Sequence, residues 1–176
     1  MTRRSVPRCE GEVDRALIEK LLAAAVRAPN HHLTQPWRFV VLQGDARAEL
    51  GRAWAAGLER LGKDPAKAGD KVLRAPVILV VIERPHLDNP KVVEIEEHHA
   101  VGAAIQNILL AAHSFGLGAM HRTGDVARMP EVLAHLGVEP GEIVVGFIYV
   151  GAAPDGDNRR PQSRRTDSAE LTEWRG

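Results

Sequence analysis

Residues 100–124 read AVGAAIQNILLAAHSFGLGAMHRTG. From Ala100 to Phe115 there is no Asp, Glu, Lys or Arg, so a helix through this stretch has hardly any face suited to bulk water. The wider pattern predicts one helix from Val92 to Phe115, buried nearly all round, which serves as the core helix and as a surface for oligomerisation. Gly116 supplies a C-terminal cap, and GLGAMHRTGD continues as a short strand or extended segment ending at Gly124.

Strands lie on either side of this helix in the sequence. VILVVIE at 77–83 is a continuous β-branched run, expected as a central strand covered on both faces. GEIVVGFIYVG at 141–151 and QPWRFVVLQG at 35–44 are further strands. Helical spacing of Val13, Leu17, Ile18, Leu21, Leu22 and Ala25 predicts a helix that Pro29 closes. DARAELGRAWAAGLERLG predicts another, with Asp45 as N-cap, and MPEVLAHLGV a short one with Pro130 in its first turn and Gly137 at its end. Residues 63–76, broken by Pro65 and Pro76, read as a mobile helix-loop region. Helices and strands in this mixture define an α+β layered domain. The 176 residues fit one domain, 1–176, with a polar, arginine-rich tail from about 152 that ends in a piece able to form a helix.

The composition excludes several functions. With 23 basic and 23 acidic residues there is no general attraction to nucleic acid or to an anionic membrane, so any phosphate site must be local. The apolar runs are too short to span a bilayer, and MTRRSVPRCEGEVD lacks the apolar core of a signal peptide; the expectation is a cytoplasmic protein. Cys9, the single cysteine, rules out a disulfide framework or a zinc ribbon.

Three local features bear chemistry. His31-His32 and His98-His99 are adjacent pairs, and helical neighbours point about 100° apart, which disfavours chelation of one ion. EEHH at 96–99 reads instead as a solvated or interface turn. Arginine forks suited to phosphate occur in RRS at 3–5 and in NRRPQSRR at 158–165, although neither a P-loop nor a dinucleotide fingerprint is present. RAPNHHLTQPWRF at 27–39 gathers hydrogen-bonding groups after a helix, stiffened by Pro29 and Pro36 and anchored by Trp37. Such a loop can line a flat polar ligand or stand as a satisfied surface loop.

Taken in order, RRSVPRC, RAPNHHLTQPWRFVV, AVGAAIQNILLAAHSFGLGAMHRTG and IVVGFIYVGAAP resemble the nitroreductase family of FMN-dependent oxidoreductases, over Arg3 to about Pro154. The resemblance implies a three-layer fold with a central mixed, mainly antiparallel sheet flanked by helices, and an intertwined homodimer with FMN in two interfacial sites. It implies that Arg3, Arg4 and Ser5 contact the FMN phosphate and ribityl chain, and that Arg27 and His31 reach the flavin across the interface. His121, Arg122 and Thr123 would lie along the isoalloxazine, and Arg160, with Arg159, would complete the phosphate pocket. Gln35 and Trp37 are architectural. No residue is assigned a metal or a catalytic acid-base role, because the cofactor carries the chemistry.

The implied function is an NAD(P)H oxidoreductase that reduces nitroaromatics, quinones or similar flat acceptors by ping-pong hydride transfer. Specialised flavin chemistry on the same fold, a non-catalytic flavin-binding or redox-sensing protein and a metal-binding module are the competing classes. Relatives carry a helix before Arg-Arg-Ser, whereas here the motif begins at residue 3. The region between Gly57 and Arg74 is expected to govern substrate access, and its shortness implies an open site.

Overall fold

A computed structural model describes residues 3–155 and 166–175. Its frame is a four-stranded sheet built from β1 (Trp37–Gln43), β2 (Val77–Glu83), β3 (Leu117–Arg122) and β4 (Ile143–Ala152). The strand order is β1-β2-β4-β3. Every pairing among these strands is antiparallel, so the mixed sheet expected above contains no parallel pair among the described residues.

β2 sits in the middle, as its composition requires. Val77 through Ile82 are all fully buried, which at about 1.5–3 kcal/mol for each buried aliphatic side chain makes this strand the energetic centre of the molecule. Because strand side chains alternate, it feeds two separate cores. Ile78, Val80 and Ile82 pack with Leu50, Trp54 and Leu58 of α2 (Asp45–Arg60), Val72 of α3 (Ala66–Val72) and Val132 of α5 (Pro130–His135). Val77, Leu79 and Val81 face Ile18, Leu21 and Ala25 of α1 (Arg15–Ala25) and Val101, Ile105 and Ile108 of α4 (Glu94–Ser114). The result is helix, sheet, helix: three layers with an apolar core on each side.

Local details correct several boundaries. The first helix stops at Ala25, ahead of Pro29, because residues after Val26 turn back in a pair of tight backbone bonds, Arg27 N to Ala24 O and Ala28 N to Ala25 O. Gly44, at φ 52°, is the N-cap of α2, and Asp45 lies in the first turn, where its charge suits the helix dipole. Gly116 and Gly137 adopt φ values of 76° and 58°, the left-handed conformation that closes a helix most easily with glycine. The segment read as a mobile helix-loop contains helix α3, and among the described residues of the tail a 3-10 turn spans Ser168–Leu171.

α4 departs from the expectation of burial all round. Val101, Ala104, Ile105 and Ile108 face the core, while His99, Gly102, Gln106 and His113 form an exposed stripe. Uncharged composition therefore marks two different surfaces of one helix: the core face and a bare outer face.

Candidate functional site

The stretch before α1 is stitched to the β3 edge of the sheet. Val6 N donates to Ala119 O at 3.0 Å, Cys9 N to Arg74 O at 2.8 Å, and Glu10 bridges Ala152. Gly118 permits this approach, since a Cβ there would stand 3.1 Å from Val6 Cβ. Arg3, Arg4 and Ser5 thus enter the fold immediately before a residue bonded to β3.

Arg122, at the end of β3, closes the same junction. Its Nη2 donates to Pro7 O at 2.7 Å and its guanidinium lies 5.2 Å from the Tyr149 ring centroid. Its Nε is buried with no hydrogen-bond partner, and burial lowers its pKa, with Arg74 adding to the effect. An orphaned cationic donor of this kind is costly unless an acceptor arrives. His121, the preceding residue, lies against Gly146; burial lowers its pKa, opposed by a hydrogen bond to the Val145 backbone, so the neutral ring is favoured. Its Nε2 is also buried and without a partner.

Arg122, Thr123 and Gly124 open into a cavity of about 590 Å³, within the size range of small-molecule sites. Trp54, Met129, Phe147 and Tyr149 supply flat apolar surface, and Lys63, Lys67, Lys71 and Arg74 supply cations against the acids Asp64 and Asp125. Lys63 pairs with Asp125 at 3.1 Å, Arg74 with Asp70 at 2.7 Å, and Lys71 lies 4.7 Å from the Trp54 ring centroid. The combination of aromatic walls and excess positive charge suits a flat ligand bearing negative charge.

Arg27 and His31 belong elsewhere. Both are exposed in the connection between α1 and β1, on the layer of α1 and α4. His31 Nδ1 lies 2.6 Å from Glu96 Oε2, and the His31 and His32 rings stack at 4.1 Å. In Gln-Pro-Trp the main chain carries the contacts: Gln35 N donates to Asn30 Oδ1 at 2.9 Å and Trp37 N to Gln35 O at 2.8 Å. The structure therefore divides the expected residues into two groups: the N-terminal segment with 121–123, and the loop carrying Arg27 and His31. Arg159 and Arg160 lie outside the described residues.

Two groups escaped the reading of the sequence. Lys67, Lys71 and Arg74 join the cavity wall; their spacing along one short helix and its end was the available signal. The EEHH turn is also not simply solvated. Glu97 is 1% exposed, and His98 Nδ1 lies 2.5 Å from Glu83 Oε1, itself on a buried side chain. Burial raises the Glu83 pKa, partly offset by its hydrogen bond with His98. Among the described residues no group of His, Cys, Asp and Glu is arranged to hold a metal ion, and no helix is long and apolar enough to cross a membrane.

The fold and site thus define a three-layer α+β protein with a charged, aromatic-walled cavity beside β3 and β4. Residues 3–152 match the family model for the nitroreductase family, and the chain belongs to that family. "Putative NAD(P)H nitroreductase YdjA" of Escherichia coli K12 is 31% identical over 137 residues, covering 76% of this chain and 74% of YdjA. "Putative NAD(P)H nitroreductase YfhC" of Bacillus subtilis is 28% identical over 170 residues, covering 91% of this chain and 87% of its own. Among solved structures, a nitroreductase-like family protein from Bacillus cereus superposes with a TM-score of 0.80 at 28% identity, over 98% of this chain and 91% of that one. A putative nitroreductase from Desulfovibrio desulfuricans, solved in complex with FMN, gives 0.75 at 29% identity, over 99% and 92%.

Proposed function

We propose that this protein is an FMN-dependent NAD(P)H oxidoreductase, a single domain acting in the cytoplasm as a homodimer. The observation that carries this reading is the cavity at Arg122–Gly124, with aromatic walls, an excess of cations and a buried guanidinium nitrogen lacking an acceptor. FMN fits these residues: it is flat, it carries a phosphate, and it gains negative charge on reduction. Bound there, FMN would supply two-electron hydride chemistry between NADH or NADPH and a nitroaromatic, quinone or similar flat acceptor, in ping-pong order.

The protein's own residues then have defined tasks. Arg3 and Arg4 offer guanidinium forks, and Ser5 a hydroxyl, to the phosphate and ribityl chain. His121, Arg122 and Thr123 border the ring, where the charges of Arg122, Lys71 and Arg74 favour negative charge in the cavity. Trp54, Phe147 and Tyr149 exclude water. The separate placement of Arg27 and His31 supports a site completed by a second copy, whose loop reaches the cavity. The bare outer stripe of α4 supports the same assembly, because a small domain can cover such a helix with a partner.

An anaerobic visible titration of the FMN-loaded protein tests the function. Flavin bands should bleach with NADH or NADPH and return with a nitroaromatic or quinone. Bands unmoved by either nicotinamide would indicate a non-catalytic flavin protein, and failure to bind FMN would overturn the reading. Arg3→Ala with Ser5→Ala should retain less FMN through desalting; undiminished retention would remove those residues from the phosphate site.

A further inference from the structure

The His31 loop is held in an uncommon backbone conformation. His32, Leu33 and Gln35 have φ values of 53°, 55° and 51°, a left-handed region that residues with a Cβ rarely occupy. Such a run persists only when its surroundings fix it. Two consecutive glutamates in the first turn of α4 do so at separate points. Glu97, fully buried, accepts from Thr34 Oγ1 at 2.6 Å and from His86 N at 3.1 Å. Glu96 meets His31 Nδ1 at 2.6 Å from the outside.

We propose that Glu96 and Glu97 are positioning residues for His31: Glu97 fixes the loop through Thr34, and Glu96 sets the proton and plane of the imidazole. This rests on the reading that His31 serves the flavin site of a second copy. A carboxylate at Nδ1 keeps the proton on that atom, which leaves Nε2 as the atom presented to a ligand. The His32 ring, stacked at an interplanar angle of 27°, fixes the second rotational direction. His32 thereby gains a part as a backing plate. With 56% of its side chain exposed in the single chain, His31 is oriented in advance, since ordering a mobile side chain during binding would weaken the complex.

The test is FMN affinity, measured by flavin fluorescence quenching, for Glu96→Gln, His31→Ala and the double variant. Glu96 is a partly exposed surface residue, so its replacement should leave the melting temperature nearly unchanged. Glu96→Gln should weaken FMN binding about 3- to 10-fold when His31 is present and have no further effect in His31→Ala; Glu96→Asp should restore part of the loss. Imidazole ¹⁵N shifts should show His31 losing its Nδ1–H preference in Glu96→Gln. Equal weakening in both backgrounds, or none beside an effective His31→Ala, would overturn the positioning role. An unaltered affinity in His31→Ala would overturn both this role and the reading on which it rests. Thr34→Val should weaken FMN binding as Glu96→Gln does while leaving the His31 Nδ1–H preference in place, which keeps the Thr34–Glu97 contact distinguishable from any general loss of folding in Glu97 variants.

Discussion

Arg122 Nη2 donates to the carbonyl of Pro7 at 2.7 Å, joining the last residue of β3 to the segment that carries Arg3, Arg4 and Ser5. Lysine has neither the planar fork nor the stacking surface to reproduce this contact. Arg122→Lys should therefore lower FMN affinity about tenfold, since a charge-assisted hydrogen bond contributes roughly 1.5–3 kcal/mol. Equilibrium dialysis of FMN measures it, and an unchanged constant would separate Arg122 from the ligand.

Gly146 should not tolerate a methyl group. A Cβ there would stand 2.7 Å from the backbone carbonyl of Arg122 and against the His121 ring, so β3 would have to shift. Gly146→Ala should cost about 1–3 kcal/mol of stability, read by urea unfolding. The glycine serves close approach, as its φ is not in the left-handed region.

Two helical glycines offer a contrast. A Cβ at Gly69 in α3 or Gly102 in α4 meets nothing within 4 Å in the single chain. Gly69→Ala should raise stability by about 0.5–1 kcal/mol, because alanine is the better helix former. Gly102 lies on the exposed stripe; on the proposed homodimer, Gly102→Trp should leave the fold intact while shifting sedimentation from dimer to monomer. A dimer that persists at micromolar concentration would place the interface elsewhere.

His121 gives a pH prediction. Burial depresses its folded pKa below the ordinary value of 6.5, so between these two values the unfolded chain binds more protons. Its contribution is present in full above pH 6.5 and is lost as pH falls through that value toward the folded pKa. Glu83, raised by burial, acts in the opposite sense above pH 4.5. The His121 contribution to melting temperature should therefore fall on acidification below pH 6.5, and the difference between the wild-type and His121→Gln profiles should show that fall.

Much of the fold was legible because solvent exclusion leaves a direct trace. The unbroken aliphatic run at 77–82 announced a strand covered twice, and Gly116 and Gly137 marked helix ends through a conformation few other residues accept. The site was less legible. Nothing in their spacing joins the segment after Arg3–Ser5 to β3; that junction comes from the Val6–Ala119 and Pro7–Arg122 hydrogen bonds, and the roles came from resemblance. Glu97 was misread because a charge run normally faces water, and its partners, Thr34 and His86 N, are distant or backbone groups. The lysines of the cavity were passed over because helix-face cations look alike until a cavity is seen in front of them.

The alternation of β2 has a consequence for change over time. Ile78, Val80 and Ile82 belong to the core behind the cavity, and Val77, Leu79 and Val81 to the core beneath α1 and α4. Substitutions that reshape the cavity can thus accumulate on one side of a single strand while the layer of α1 and α4 keeps its packing. Cavity shape and the packing of the opposite layer are separately adjustable traits, inherited through alternate letters of the same seven-residue word.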